Sequence, residues 1–299
     1  MLVTFYNRPE HLECLFDKLS KNNNLDIYFA CDGPKNLPDK EKIDKCWVLV
    51  SNKFGFIPDS NKLIRHENLG CSNAMIGNLN WFFQKVNFGL ILEDDCIPSG
   101  AFLDYLANNL EKLEKIRDFM CISGFDPIQK FDSKYLFRLS NFPLIWGWAT
   151  WKEKWDLYQY KIPDAEYITD KVSKKIYKKN FFIQKQLFKY IFRRNFRLVN
   201  ESLIDTWDYS LIATMWRHNL LSLQINGNQI RNIGFDDSAT HTKSKIPKWA
   251  STHYAYLETK KYFEETQFDK DNEVWLSKKV YGANLFTFIR SSMRKILYS

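Results

Sequence analysis

Phe88-Gly89-Leu90-Ile91-Leu92-Glu93-Asp94-Asp95-Cys96-Ile97-Pro98 is the segment whose residue types most directly imply chemistry. An apolar strand ends there in three consecutive carboxylates, and a Pro-Ser turn then opens a helix. Adjacent acids repel one another, so a fold keeps three together only with a compensating cation. Hard oxygen ligands of this kind suit Mg²⁺ or Mn²⁺, most of all where substrate phosphates complete the coordination shell. Strand alternation puts Glu93 and Asp95 on one side and Asp94 on the other. A solvated acidic turn is the competing reading; the place at the carboxyl end of a central strand favours the metal.

Two further segments could act beside it. His66-Glu67-Asn68-Leu69-Gly70-Cys71-Ser72 joins a strand to a helix through a glycine, and backbone N–H groups at such a helix start favour an anion. Cys31-Asp32-Gly33-Pro34 ends another strand, where the acid could accept hydrogen bonds from a ribose or base, or simply form an Asp-Gly turn.

These residues need elements to hold them. Short apolar runs at 2–6, 26–31, 62–65, 88–92 and 119–122 read as strands. Helical patterns at 9–19, 39–50, 72–86 and 100–115 lie between them, with Ser72 and Ser99 as expected N-caps for the last two. Such alternation implies an α/β fold with a mostly parallel sheet covered on both faces, and ligands of such sheets bind at the carboxyl ends of the strands. Beyond residue 130 the alternation stops. Residues 131–155 are aromatic-rich, 171–197 form a basic amphipathic helical stretch, and 207–218 read as a helix. Short strands are expected at 221–225 and 229–233, then a helical tail from about 247. The expected division is 1–130, 131–245 and a tail at 246–299.

Composition bounds the class. The 299 residues are 45% hydrophobic and 16% aromatic, which disfavours disorder. The longest apolar stretch near the middle, 142–151, is too short to span a membrane, and the N-terminus reads as having no signal peptide, so a cytoplasmic protein is expected. Six cysteines form no CxxC pair, which argues against zinc and a disulfide framework. The net charge of +8 is local, because residues 171–200 alone hold ten basic residues and no acid. That tract suits one docking surface.

Taken in order, Asn7-Arg8-Pro9, Cys31-Asp32-Gly33, the 67–72 segment and Leu92-Glu93-Asp94-Asp95 resemble a GT-A-fold glycosyltransferase. Trp146-Gly147-Trp148-Ala149-Thr150-Trp151, Thr206-Trp207-Asp208-Tyr209, Asn232-Ile233-Gly234-Phe235 and Ala239-Thr240-His241-Thr242 look like bacterial nucleotide-diphospho-sugar transferases of the haemolysin-like group. A more distant similarity is to N-acetylglucosaminyltransferase I. The resemblance spans residues 1 to about 245.

It implies a Rossmann-like GT-A sheet and a metal-dependent, inverting hexosyl or N-acetylhexosaminyl transfer. The sugar would leave a nucleotide-diphosphate donor, UDP favoured, for a hydroxyl of a bacterial surface glycan or lipid-linked saccharide. By the same resemblance Asp95, in a DXD-type motif, and His241 would hold Mn²⁺ or Mg²⁺. Thr4, Tyr6, Asn7, Arg8, Asp32, Asn68, Gly70, Ser72, Glu93 and Asp94 would surround the donor. Asp208, or Asp205 three residues earlier, would be the general base, and Trp146, Trp148 and Trp151 an acceptor platform.

Other classes share some features. A Mg²⁺-dependent nucleotidyltransferase would have the same core and acids, but 7–10 lacks the glycines of its usual loop. A basic module without catalysis, binding membrane or nucleic acid, would account for 171–200 and leave the acids at 93–95 unexplained; nucleic acid is not an expected partner. Interleaved Phe181, Phe182, Phe188, Tyr190, Phe192 and Phe196 make peripheral association with an anionic cytoplasmic membrane face an expectation, against a solvated helix whose phenylalanines face the core.

Overall fold

A computed structural model of the chain describes residues 1–20, 26–115, 119–129, 135–178, 180–235, 246–251, 253–257 and 266–297. Strand β1 (Leu2–Phe5) leads to α1 (Pro9–Leu19), β2 (Tyr28–Cys31), α2 (Leu37–Phe54), β3 (Lys62–Ile64), α3 (Gly70–Phe82) and β4 (Phe88–Glu93). Next come β5 (Cys96–Pro98), α4 (Gly100–Asn108), α5 (Leu110–Glu114), β6 (Phe119–Ser123), β7 (Phe137–Ser140) and β8 (Trp148–Trp151). Helices α6 (Lys152–Trp155), α7 (Ala165–Ile176), α8 (Phe182–Asn200) and α9 (Asp208–Arg217) precede β9 (Leu221–Ile225) and β10 (Ile230–Asn232). The chain closes with β11 (Thr266–Phe268), α10 (Lys270–Lys279) and α11 (Leu285–Leu297).

Among the described residues nine strands form one sheet, in the order β11-β7-β9-β6-β8-β4-β1-β2-β3. The block β4-β1-β2-β3 is wholly parallel, whereas β8 runs antiparallel to both β4 and β6. The expected architecture, a mostly parallel α/β sheet with flanking helices, is therefore the one adopted. β1 and β2 are buried along their whole length, as strands covered on both faces must be. Helix α1 starts on Pro9, whose fixed φ suits a first turn, and buries the stripe Leu12, Leu15, Phe16 and Leu19 against the sheet. The carboxyl ends of β1, β2 and β4 then emerge side by side, since Thr4 is opposite both Ala30 and Glu93.

Several local expectations change. Ser99 does cap α4, accepting from the Phe102 N–H at 3.1 Å. Ser72 does not cap α3, which begins two residues earlier at Gly70 (φ +79°). The helix expected over 100–115 breaks at Asn109, whose side-chain amide donates to the Tyr105 carbonyl at 2.9 Å and competes with the helical ladder. The aromatic segment 131–155 contains strands β7 and β8, both inside the sheet. The basic stretch is two helices: Tyr177 ends α7 in extended backbone, its hydroxyl 2.6 Å from that of Ser277. The helical tail, α10 and α11, is preceded by β11, which adds an edge strand parallel to β7. Among the described residues no helix is long and apolar enough to cross a membrane.

Candidate active site at the carboxyl ends of the parallel strands

The cation that lets three acids share the end of β4 is Arg8. It stands in the β1–α1 loop, one residue before the Pro9 that fixes the start of α1. Its guanidinium lies 2.5 Å from Asp94 Oδ1 and donates to Asp95 Oδ2 at 3.0 Å. Asp94 is 1% exposed, so this pairing offsets a charge that burial would otherwise make very costly. Burial still pushes the Asp94 carboxyl up, against the pull of Arg8 and with the push of Asp95. Glu93 is also raised, first by desolvation, then by Asp95 and Asp94, with a smaller contribution from Asp208. Three carboxylates against one arginine leave an excess of negative charge at this strand end.

Asp95 is half-buried and held loosely on its other oxygen. Oδ1 accepts from the Asn232 amide at 3.3 Å and lies 3.4 Å from the Cys96 thiol. The Ile233 N–H binds the Asp95 carbonyl at 2.9 Å, drawing the chain after β10 across the acid. A Cβ at position 234 would lie 2.2 Å from Asp95 Oδ2, so only glycine fits beside the carboxylate.

The second and third strand ends are knitted to each other. Asp32 accepts from the N–H of Gly33 (2.9 Å), the N–H of Leu69 (3.0 and 3.1 Å) and the Asn68 amide (3.0 Å). A Cβ on Gly33 would come within 2.3 Å of the Glu67 backbone, which explains the glycine. Asp32 therefore fixes the loop entering α3. Beside it, the Tyr6 hydroxyl and the Asn7 amide both donate to Asp39 in the first turn of α2, at 2.8 and 2.7 Å. Thr4 is buried, its hydroxyl 3.4 Å from the Leu92 carbonyl.

The anion expected at the start of α3 is a side chain of this protein. Asp205 accepts from the N–H of Cys71 at 2.8 Å and of Ser72 at 2.9 Å, capping the helix from 133 residues away. Its carboxylate sits 2.9 Å from where a Gly70 Cβ would be. This separates the two aspartates of the 205–208 segment. Asp205 is spent on a helix end, while Asp208 opens α9 and accepts from the Thr206 hydroxyl and, at 2.8 Å, the Tyr209 N–H. Asp208 is also near enough to raise the Glu93 carboxyl and the Cys71 thiol.

Of the three tryptophans, Trp148 and Trp151 are 1% and 2% exposed and belong to the core. Trp148 stacks on Trp207 (centroids 5.6 Å apart), and Trp151 donates to the Leu113 carbonyl at 2.8 Å. β8 is buried along its whole length, with Trp207 packed on Trp148 and Phe88 packed on Trp151, which takes these rings away from any acceptor. Trp146, just before the strand, remains partly exposed. It stacks on Trp249 at 5.6 Å and meets Phe235 edge-on at 5.7 Å, next to the glycine that adjoins Asp95. Trp249 was not among the expected site residues, because it lies past the end of the resembling region. His241 lies outside the described residues.

Among the described residues no three His, Cys, Asp or Glu side chains could hold a metal by themselves. The donor set nevertheless fits a hard divalent ion shared with phosphate oxygens. It consists of oxygens alone, carries excess negative charge, and includes in Asp95 a carboxylate with one weakly engaged oxygen.

No family model matches the chain, and no curated protein does. Among solved structures it is similar to the mannosyltransferase PcManGT from Pyrobaculum calidifontis in complex with GDP-Man and Mn²⁺. The identity is 11%, the match covers 72% of this chain and 68% of that one, and the TM-score is 0.38.

Proposed function

We propose that this chain is a divalent-metal-assisted glycosyltransferase that transfers a sugar, with inversion, from a nucleoside-diphosphate donor to a saccharide hydroxyl. One observation carries the reading: Glu93, Asp94 and Asp95 meet Arg8 at the end of β4 with Asp208 close by. Carboxylates of two kinds are thereby available, one set for a cation and one for a proton.

In this reading Asp95, in the turn that follows Glu93 at the end of β4, would hold the Mn²⁺ or Mg²⁺ together with Glu93. Bound there, the ion would supply Lewis-acid stabilisation of the departing diphosphate. Asp208 takes the proton from the acceptor hydroxyl as its oxygen attacks the anomeric carbon and the bond from that carbon to the phosphate oxygen breaks. Hydrogen bonds from Thr206 and Tyr209 orient its carboxylate. Arg8 bridges Asp94 and Asp95 and holds them together. The Asp32–Asn68 loop and the Tyr6–Asn7–Asp39 cluster line the nucleoside side, and Trp146 with Trp249 offers a stacking surface to the acceptor sugar. The acceptor in this reading is a bacterial surface glycan or its lipid-linked precursor, elongated at the cytoplasmic face of the membrane.

A turnover screen of UDP-, GDP- and dTDP-sugars against saccharide acceptors, with Mn²⁺ present and after EDTA, tests the proposal. Metal-dependent release of a nucleoside diphosphate with an inverted anomeric linkage by NMR is expected. Full activity in EDTA, or no transfer from any donor, would overturn it.

A further inference from the structure

The basic tract has a second destination in the fold. On α8 the residues Phe188, Ile191, Phe192, Phe196 and Val199 are buried. Lys189, Arg193 and Arg197, four residues apart, with Arg194 next to Arg193, form a stripe on another side of the helix. That stripe lines a groove of about 850 Å³ against the segment that starts α7, with Glu166 and the exposed ring of Tyr167 on the facing wall.

The charges in the groove do not cancel. Asp170 pairs with Lys189 at 2.9 Å and with Arg193 at 2.6 Å, and Asp164 is engaged by Arg217 from α9 at 2.9 and 2.5 Å. Among the described residues no carboxylate pairs with Arg194 or Arg197; Arg194 donates to the neutral Asn195 amide oxygen at 3.1 Å. Arg193 Nε is shielded from solvent and has no acceptor among the described residues. Two arginines on adjacent turns, with a spare buried N–H beside them, form a fork suited to a phosphate.

We propose that this groove is a binding site for a phosphate monoester or diester. Arg194 and Arg197 grip the phosphate, and Tyr167 flanks the organic group attached to it. The assignment stands apart from the acidic site at β4 and from the reading given to it.

The test is isothermal titration of the whole chain with glucose 1-phosphate and with inorganic phosphate, and sedimentation with phosphatidylglycerol vesicles. Wild type, Arg194→Ala/Arg197→Ala and Arg197→Lys are compared after circular dichroism shows equal folding. Glucose 1-phosphate should bind wild type, weaken about tenfold for each arginine removed, and weaken with added salt. Arg197→Lys should fall between, since charge remains and the fork is lost. Binding that is confined to vesicles and lost in the double variant would place the phosphate on a lipid headgroup and keep the assignment. Equal affinity in wild type and the double variant, or no binding of any of the three probes, would overturn it.

Discussion

Asp208 and Asp95 divide the proposed chemistry, and each has a partner that makes the division testable. Asp208→Asn preserves shape and leaves the acids of β4 in place, so donor affinity should hold while turnover falls by about 10²–10⁴. Product formation under saturating donor, alongside direct titration of the donor, measures the two separately. Gly234 reports on Asp95 without touching a charge. A methyl there would lie 2.2 Å from the carboxylate oxygen. Gly234→Ala should therefore displace Asp95 and raise the Mn²⁺ concentration needed for half-maximal turnover. An unchanged Mn²⁺ response in this variant would argue that Asp95 is remote from the ion.

At the scale of elements, the informative joint is that between α3 and the segment before α9. Asp205 supplies the cap that α3 lacks at Leu69 and so ties Asp208 to the parallel half of the sheet. Asp205→Ala should cost about 0.5–2 kcal/mol of stability, the usual value of a lost N-cap. Urea unfolding gives that number. Asp205→Asn retains an acceptor oxygen and should recover part of it. Turnover of Asp205→Ala should fall more than its stability explains if the joint positions the base.

For the whole molecule, a buried carboxylate is among the contacts that fasten α10 to the sheet. Glu273 on α10 is 1% exposed and accepts from the Ser140 hydroxyl at 2.5 Å and from the Asn141 N–H at 2.9 Å and side-chain amide at 2.5 Å. Desolvation outweighs these bonds and holds its carboxyl above the ordinary glutamate range. The folded chain then keeps this proton at pH values where the unfolded chain has lost it. Glu273 therefore costs stability as pH rises from the ordinary glutamate range through its raised value. Glu273→Gln should flatten that part of the stability profile, read as the difference in urea midpoint between variant and wild type from pH 4 to pH 8. A difference independent of pH would show that the Glu273 carboxyl titrates alike in the folded and unfolded chains. The basic tract follows the same logic of burial. Phe188, Phe192 and Phe196 are in the core, whereas Phe182 at the start of α8 is exposed, so the aromatic residues of the tract divide between the core and the surface.

What the residues alone determined is the parallel half. Continuous apolar runs, Pro9 and Ser99 make β1, β2, β4, α1 and α4 legible because their causes are local: burial on both faces, a fixed φ, a side chain capping its own helix. The acids at 93–95 were legible for the same reason, being consecutive at a strand end. Tertiary structure decided which partner each acid meets. Arg8 lies 87 residues from Asp95, and Asp205 lies 134 and 133 from the two N–H groups it caps, so no spacing rule connects them. The placement of β8 between β4 and β6, which buried Trp148 and Trp151 and left Trp146 beside Trp249, likewise depends on register across the sheet. An aromatic reads the same in sequence whether it fills a core or faces a sugar, and only packing separates the two.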